Sequence, residues 1–158
     1  MKVGIVGHAQ DKFTKDTEAK ARTIIREILT SDTVWSGGTE RPILVSGRSP
    51  MGGVDIYAEE IADEIGIPKD IKTPKTHSWD GEYGFKARNL DIAKCSDVIH
   101  VVLVKDYPKD YRGRRFDTCY HCVKIGNDPK GHVKSGGCWT AIEALKLDKK
   151  AVWHIITS

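Results

Sequence analysis

The chain has 158 residues, room for one domain with a sizeable core and too few for two. Hydrophobic residues make up 39% and charged residues 30%, the balance of a soluble globular chain. The net charge of +3 admits an anionic ligand but is too small to argue for nucleic acid.

No apolar run approaches the length of a membrane span. The opening MKVGIVGHAQ is too short and too broken by glycine for a signal peptide. Four cysteines without an export signal point to a reducing, cytoplasmic setting. There a Cys-x-x-Cys pair suits a metal clamp or redox pair better than a structural disulfide.

In chain order, Val3–Val6 is a short apolar run closed by Gly7, which predicts a buried strand. Residues 17–30 place Ala21, Ile24, Ile25, Ile28 and Leu29 on one helical face. Ile43–Val45 predicts a second strand. Val54, Ala58, Ile61, Ala62 and Ile65 form a second helical stripe, stopped by Gly66 and Pro68. A third helix is predicted over about Tyr83–Lys94, on the stripe Ala87, Leu90 and Ala93. Val98–Val104 is almost wholly apolar, as in a strand covered on both faces. A last helix is predicted from about Thr140, carrying Ala141, Ile142 and Leu145, before a final strand Ala151–Ile156.

Strands alternating with helices predict βαβ units and an α/β fold: a three-layer α/β/α Rossmann-like sandwich with a mainly parallel sheet. The whole chain reads as a single domain, with a Cys/His-rich insertion at about 105–135. A connection of that length is functional or has local structure of its own.

Ligands of such sheets bind beyond the carboxyl ends of the strands. That rule selects three turns: Gly7-His8 after the first strand, Ser46-Gly47-Arg48 with Gly52-Gly53 after the second, and Ser135-Gly136-Gly137 with Thr140 after the insertion. The last two are glycine-rich and run into helix N-termini. Unpaired N–H groups favour an anion there, and glycine lets backbone approach it closely. The pattern predicts a nucleotide or sugar-phosphate site.

Several segments together resemble the SLOG superfamily, which includes the LOG phosphoribohydrolases and the DprA and YspA-like proteins. Ser46-Gly47 with Gly53-Val54-Asp55 and Ala58 is similar to the glycine loop and helix of the DprA and YspA branches. Trp79, Gly84, Ala87-Arg88-Asn89 and Asp97-Val98-Ile99 resemble a YspA segment. Gly136-Gly137-x-x-Thr140-x-x-Glu143 is similar to the PGGxGTxxE signature of LOG proteins, with Ser135 in place of its proline and Trp139 in place of the glycine before Thr. The resemblance implies a Rossmann-like fold and a nucleotide-derived ligand. It also implies catalytic roles for Arg88 and Glu143 in cleaving the N-glycosidic bond of a nucleoside 5′-monophosphate, and a homodimer. A non-catalytic nucleotide sensor or DNA-processing module is the alternative.

The residues themselves keep other readings open. Thr140-x-x-Glu143 also matches a helix capping box. Arg88 and Arg48 can grip phosphate or face solvent, and His8 can be a solvated loop histidine. Asp55 suits either a ribose contact or a helix dipole. Trp79 suits a core, a lid or a stacking platform. Tyr107, Tyr111, Arg112, Arg114 and Arg115 form a basic aromatic cluster that can bind nucleic acid, although a solvated face is the simpler expectation.

Within the insertion, Cys119-x2-Cys122-x9-His132-x5-Cys138 supplies three thiols and an imidazole, a set suited to a closed structural zinc site. The segment resembles a zinc knuckle. A redox Cys119–Cys122 pair is the alternative, and His121 is disfavoured as a ligand by its place between the cysteines.

Overall fold

The computed structural model describes residues 1–31, 41–82, 84–126 and 131–158. Five strands, β1 (Lys2–Gly7), β2 (Ile43–Ser46), β3 (Lys69–Ile71), β4 (Val98–Val104) and β5 (Lys150–Ile156), form one sheet in the order β3-β2-β1-β4-β5. Every pairing is parallel. The helices are α1 (Lys15–Thr30), α2 (Val54–Ile65), α3 (Phe85–Cys95), the short α4 (Tyr120–Lys124) and α5 (Gly136–Lys146), with a 3-10 turn at Gln10–Lys12. This is the predicted Rossmann-like α/β architecture.

Two cores cover the two faces of the sheet. Ala21, Ile25 and Leu29 of α1 pack with Val54, Ala58 and Ile61 of α2 over Val3, Ile5 and Val102. On the other face, Ile92 and Ala93 of α3 and Cys138, Ala141 and Ala144 of α5 pack over Val6, Ile99, Val101 and Leu103. Cys119 and Cys122 belong to this second core.

Helix starts are the main departures from the sequence reading. Thr14 caps α1 through a reciprocal box with Thr17, so the helix begins earlier than expected. Ser135 caps α5 through its hydroxyl, which accepts the N–H of Gly137 at 3.0 Å. Gly136 and Gly137 are therefore already helical, Thr140 lies inside the helix, and the Thr140–Glu143 capping box does not form. Leu145, expected on the buried stripe, is exposed.

Helix α3 buries Arg88, Asn89, Ile92 and Ala93 instead of the stripe through Ala87 and Leu90. Its expected first residue, Tyr83, lies outside the described residues. The three-residue edge strand β3 and the 3-10 turn carry too little periodicity to be seen in the sequence.

Candidate functional site: a cleft backed by a Cys3His cluster

The strand order reverses direction between β1 and β4, and a parallel α/β sheet opens a crevice at that point. A cleft of ≈ 400 Å³ lies there. Its floor is the end of β1, at Gly7-His8, and the start of α5, at Ser135-Gly136-Gly137 with Thr140. Gly7 has no room for a side chain here and Gly137 little. A Cβ on Gly7 would lie 2.1 Å from the Val102 carbonyl oxygen, and one on Gly137 3.0 Å from the Gly7 nitrogen. Gly136 is open: a Cβ there would meet nothing within 4 Å.

One side wall comes from the second loop and α3. Ser49, Met51, Gly52 and Asp55 line it, with Arg88 and Asn89. Arg88 is buried, and its guanidinium donates to the Gly47 carbonyl at 2.6 Å and to Asn89 Oδ1 at 2.7 Å. Gly47 does not line the cleft; it makes room for Arg88, whose guanidinium would clash with a Cβ there. Asp55 accepts the Ser49 N–H at 3.0 Å. Burial pushes its carboxyl up to about 6, against the pull of Arg88 and the Ser49 N–H. Among the described residues, it is the one acidic residue lining the cleft.

The opposite wall comes from the insertion, which contributes Tyr107, Tyr111, Arg114, Phe116 and Lys134. Arg112, Arg114 and Arg115 are exposed, as expected of a solvated face, while Tyr107 and Tyr111 are half-buried. Tyr107 and Tyr111 stack at 4.7 Å, with Lys12 over the Tyr111 ring and Arg115 over both. Lys134 and Arg114 each lie 4.8 Å from the Phe116 ring. The cations are held at the wall by aromatic faces, an arrangement that suits both phosphate and a flat base. Trp79 also lines the cleft, edge-on to Trp139 at 5.3 Å.

Of the residues expected at the ligand, Gly7, His8, Gly52, Arg88, Ser135, Gly136, Gly137 and Thr140 line the cleft. Ser46, Gly47, Arg48, Gly53 and Glu143 do not. Ser46 is buried beneath the loop. Gly53, at φ 86°, packs against the His8 and Ala9 backbone. Arg48 turns away to pair with Glu59 at 2.8 Å, whose other carboxylate oxygen is buried with no partner among the described residues. Glu143 pairs with Lys146 at 3.0 Å.

His8 is buried, not solvated. Its Nδ1 accepts the Val104 N–H at 3.1 Å, so Nε2 carries the proton and donates to the Val133 carbonyl at 2.8 Å. Burial pulls its pKa down to about 3, so the ring is neutral and acts as a strut between β1, β4 and the insertion. Lys12, Phe116 and Lys134 were missed. Lys134 directly precedes the capping serine, and that adjacency was the available signal.

Behind the floor, Cys119, Cys122, His132 and Cys138 are all buried, with their donor atoms within 4.8 Å of one another. A tetrahedral site with Zn–S bonds of about 2.3 Å places its sulfurs about 3.8 Å apart, so the cluster has metal-site dimensions. His132 Nδ1 donates to the Val133 carbonyl at 2.9 Å, leaving Nε2 3.5 Å from the Cys122 sulfur with its lone pair inward. Trp153 of β5 donates its indole N–H to Cys138 Sγ at 3.4 Å. The Cys119 thiol is pulled down to about 4, first by the Cys138 thiol and then by the N–H groups of Cys122 and Ser135, against the cost of burial. Donors aimed at sulfur in this way suit thiolates. The four residues that the sequence singled out thus form one cluster able to hold a metal ion.

No family model, no curated protein and no solved structure matches the chain. Among the described residues, no helix is long and apolar enough to cross a membrane.

Proposed function

We propose that the cleft binds a nucleotide or nucleotide-derived ligand and that the Cys3His cluster holds zinc in a structural role. One observation carries the nucleotide reading. A helix N-terminus, the cations Lys12, Arg88, Arg114 and Lys134, and the rings of Trp79, Tyr107 and Phe116 meet in a single cleft. The first two components favour phosphate and the third a base. The resemblance to the SLOG superfamily points the same way. Titration calorimetry of the purified chain with nucleoside mono- and diphosphates is expected to show one site, weakened by added salt and by Lys134→Gln. No heat with any nucleotide would count against it.

For the metal, three thiolates and an imidazole with a hydrogen-bonded second nitrogen are the donors of a closed zinc site. The untagged protein is expected to carry one zinc per chain by elemental analysis, and Cys122→Ser less than half of that.

A second reading, hydrolysis of the N-glycosidic bond of a nucleoside 5′-monophosphate, is favoured by Asp55. A cleft carboxyl that titrates near 6 can act as acid or base near neutral pH. Arg88 beside it would hold phosphate. Glu143, the carboxylate expected from the sequence, faces Lys146. In this reading Asp55→Asn abolishes release of free base and Glu143→Gln does not. The reverse result would return the role to Glu143, and no release at all leaves a non-catalytic nucleotide sensor.

A further inference from the structure

Residues 132–138 serve both sites at once. His132 and Cys138, at the two ends, are donors of the metal cluster. Lys134, Ser135, Gly136 and Gly137, between them, line the cleft. The segment is pinned along its length by hydrogen bonds. The Val133 N–H donates to the Val104 carbonyl at 3.0 Å. The Val133 carbonyl accepts from both His8, on the cleft floor, and His132, in the cluster.

The cluster also holds the opposite wall. Cys119 and Cys122 fix α4, whose Tyr120 ring lies 5.2 Å from the Lys134 ammonium. Lys134 in turn lies over Phe116, a cleft residue of the stretch leading into α4. Hydrogen bonds to His132 and Cys138 hold the cluster only loosely compared with metal bonds, and the insertion has few core residues of its own. Metal binding to such a segment is also its ordering. The ordered form is the one in which the α5 N-terminus, Lys134 and the aromatic wall face a common ligand.

We infer that the metal centre and the anion cleft are thermodynamically linked: the ion tightens binding of a phosphate ligand, and the ligand tightens retention of the ion by the same factor. The inference rests on the reading of the cleft as a nucleotide site. The chain then acts as a nucleotide binder whose affinity follows zinc supply, or as a zinc holder whose retention follows nucleotide level.

The test uses the zinc-loaded full chain. Zinc is withdrawn by a chromophoric chelator without nucleotide, with saturating AMP and with inorganic phosphate, while AMP affinity is measured separately by calorimetry. The expected result is that AMP lowers the apparent zinc dissociation constant by roughly tenfold, within the usual range of coupling between sites. Phosphate alone is expected to give a smaller shift in the same direction. Lys12→Gln, which removes a cleft cation that is not one of the metal donors, is expected to shrink the AMP effect while leaving zinc affinity without nucleotide unchanged. That control excludes competition by AMP for zinc or chelator.

AMP binding with zinc affinity unchanged within twofold overturns the linkage and leaves the nucleotide reading standing. Failure of both AMP and phosphate to bind the zinc-loaded chain overturns both. Where the zinc-stripped chain stays folded, its AMP affinity must be lower by the factor read from the zinc side. Equal affinity overturns the linkage.

Discussion

At the scale of single residues, Asp55 lies in the first turn of α2, where a carboxylate suits the helix dipole, yet burial holds its carboxyl at about 6 against 3.8 in the free residue. Between those values the folded chain binds more protons than the unfolded one. Stability therefore falls as pH rises from about 4 to about 6 and stays lower above, by on the order of 3 kcal/mol at most. Asp55→Asn keeps an acceptor for the Ser49 N–H and removes the titration. It is expected to stabilise the fold by about 1–2 kcal/mol at pH 7.5 and by little at pH 4, read from urea melts. A group retained at that cost supports the proposed reading of the cleft as a ligand site. His8→Ala acts in the opposite sense. It strands the buried Val104 N–H and removes a donor from the Val133 carbonyl, at an expected cost of about 2–4 kcal/mol. Neither environment was legible in the sequence. A histidine after a strand and an aspartate after two glycines carry no mark of burial until the chain folds over them.

At the scale of elements, α1, α2 and the strands β1, β2, β4 and β5 were legible because their apolar residues repeat at helix or strand period over whole elements. Helix α5 was placed four residues late because its apolar period starts at Ala141, while two glycines read as loop. The cap at Ser135 decides otherwise. In α3 the period misled, because a buried arginine and asparagine take positions that the pattern reserves for apolar residues. Such failures of pattern concentrate where a site is built. Gly136 offers a clean probe. It is helical, its left-handed conformation is not required, and a Cβ there is unobstructed. Gly136→Ala is expected to raise stability by about 0.5–1 kcal/mol in thermal melts and to weaken phosphate binding by placing a methyl group over the helix N-terminus.

At the scale of the molecule, alternation of strand and helix was enough to predict a parallel sheet, and its closing pair has a kinetic consequence. Strands β4 and β5 share the longest register in the sheet, running from Val98↔Lys150 to Val104↔Ile156. The paired residues lie roughly fifty positions apart, with the insertion between them, and distant pairings slow folding through the entropy of loop closure. An ion gripping Cys119, Cys122, His132 and Cys138 in the still-open chain would shorten the path that β5 must search. Stopped-flow refolding is expected to be faster with zinc present than with a chelator in its place, and equal rates would remove this role. On that view the ion is an assembly aid, needed most in the moments before the last strand docks.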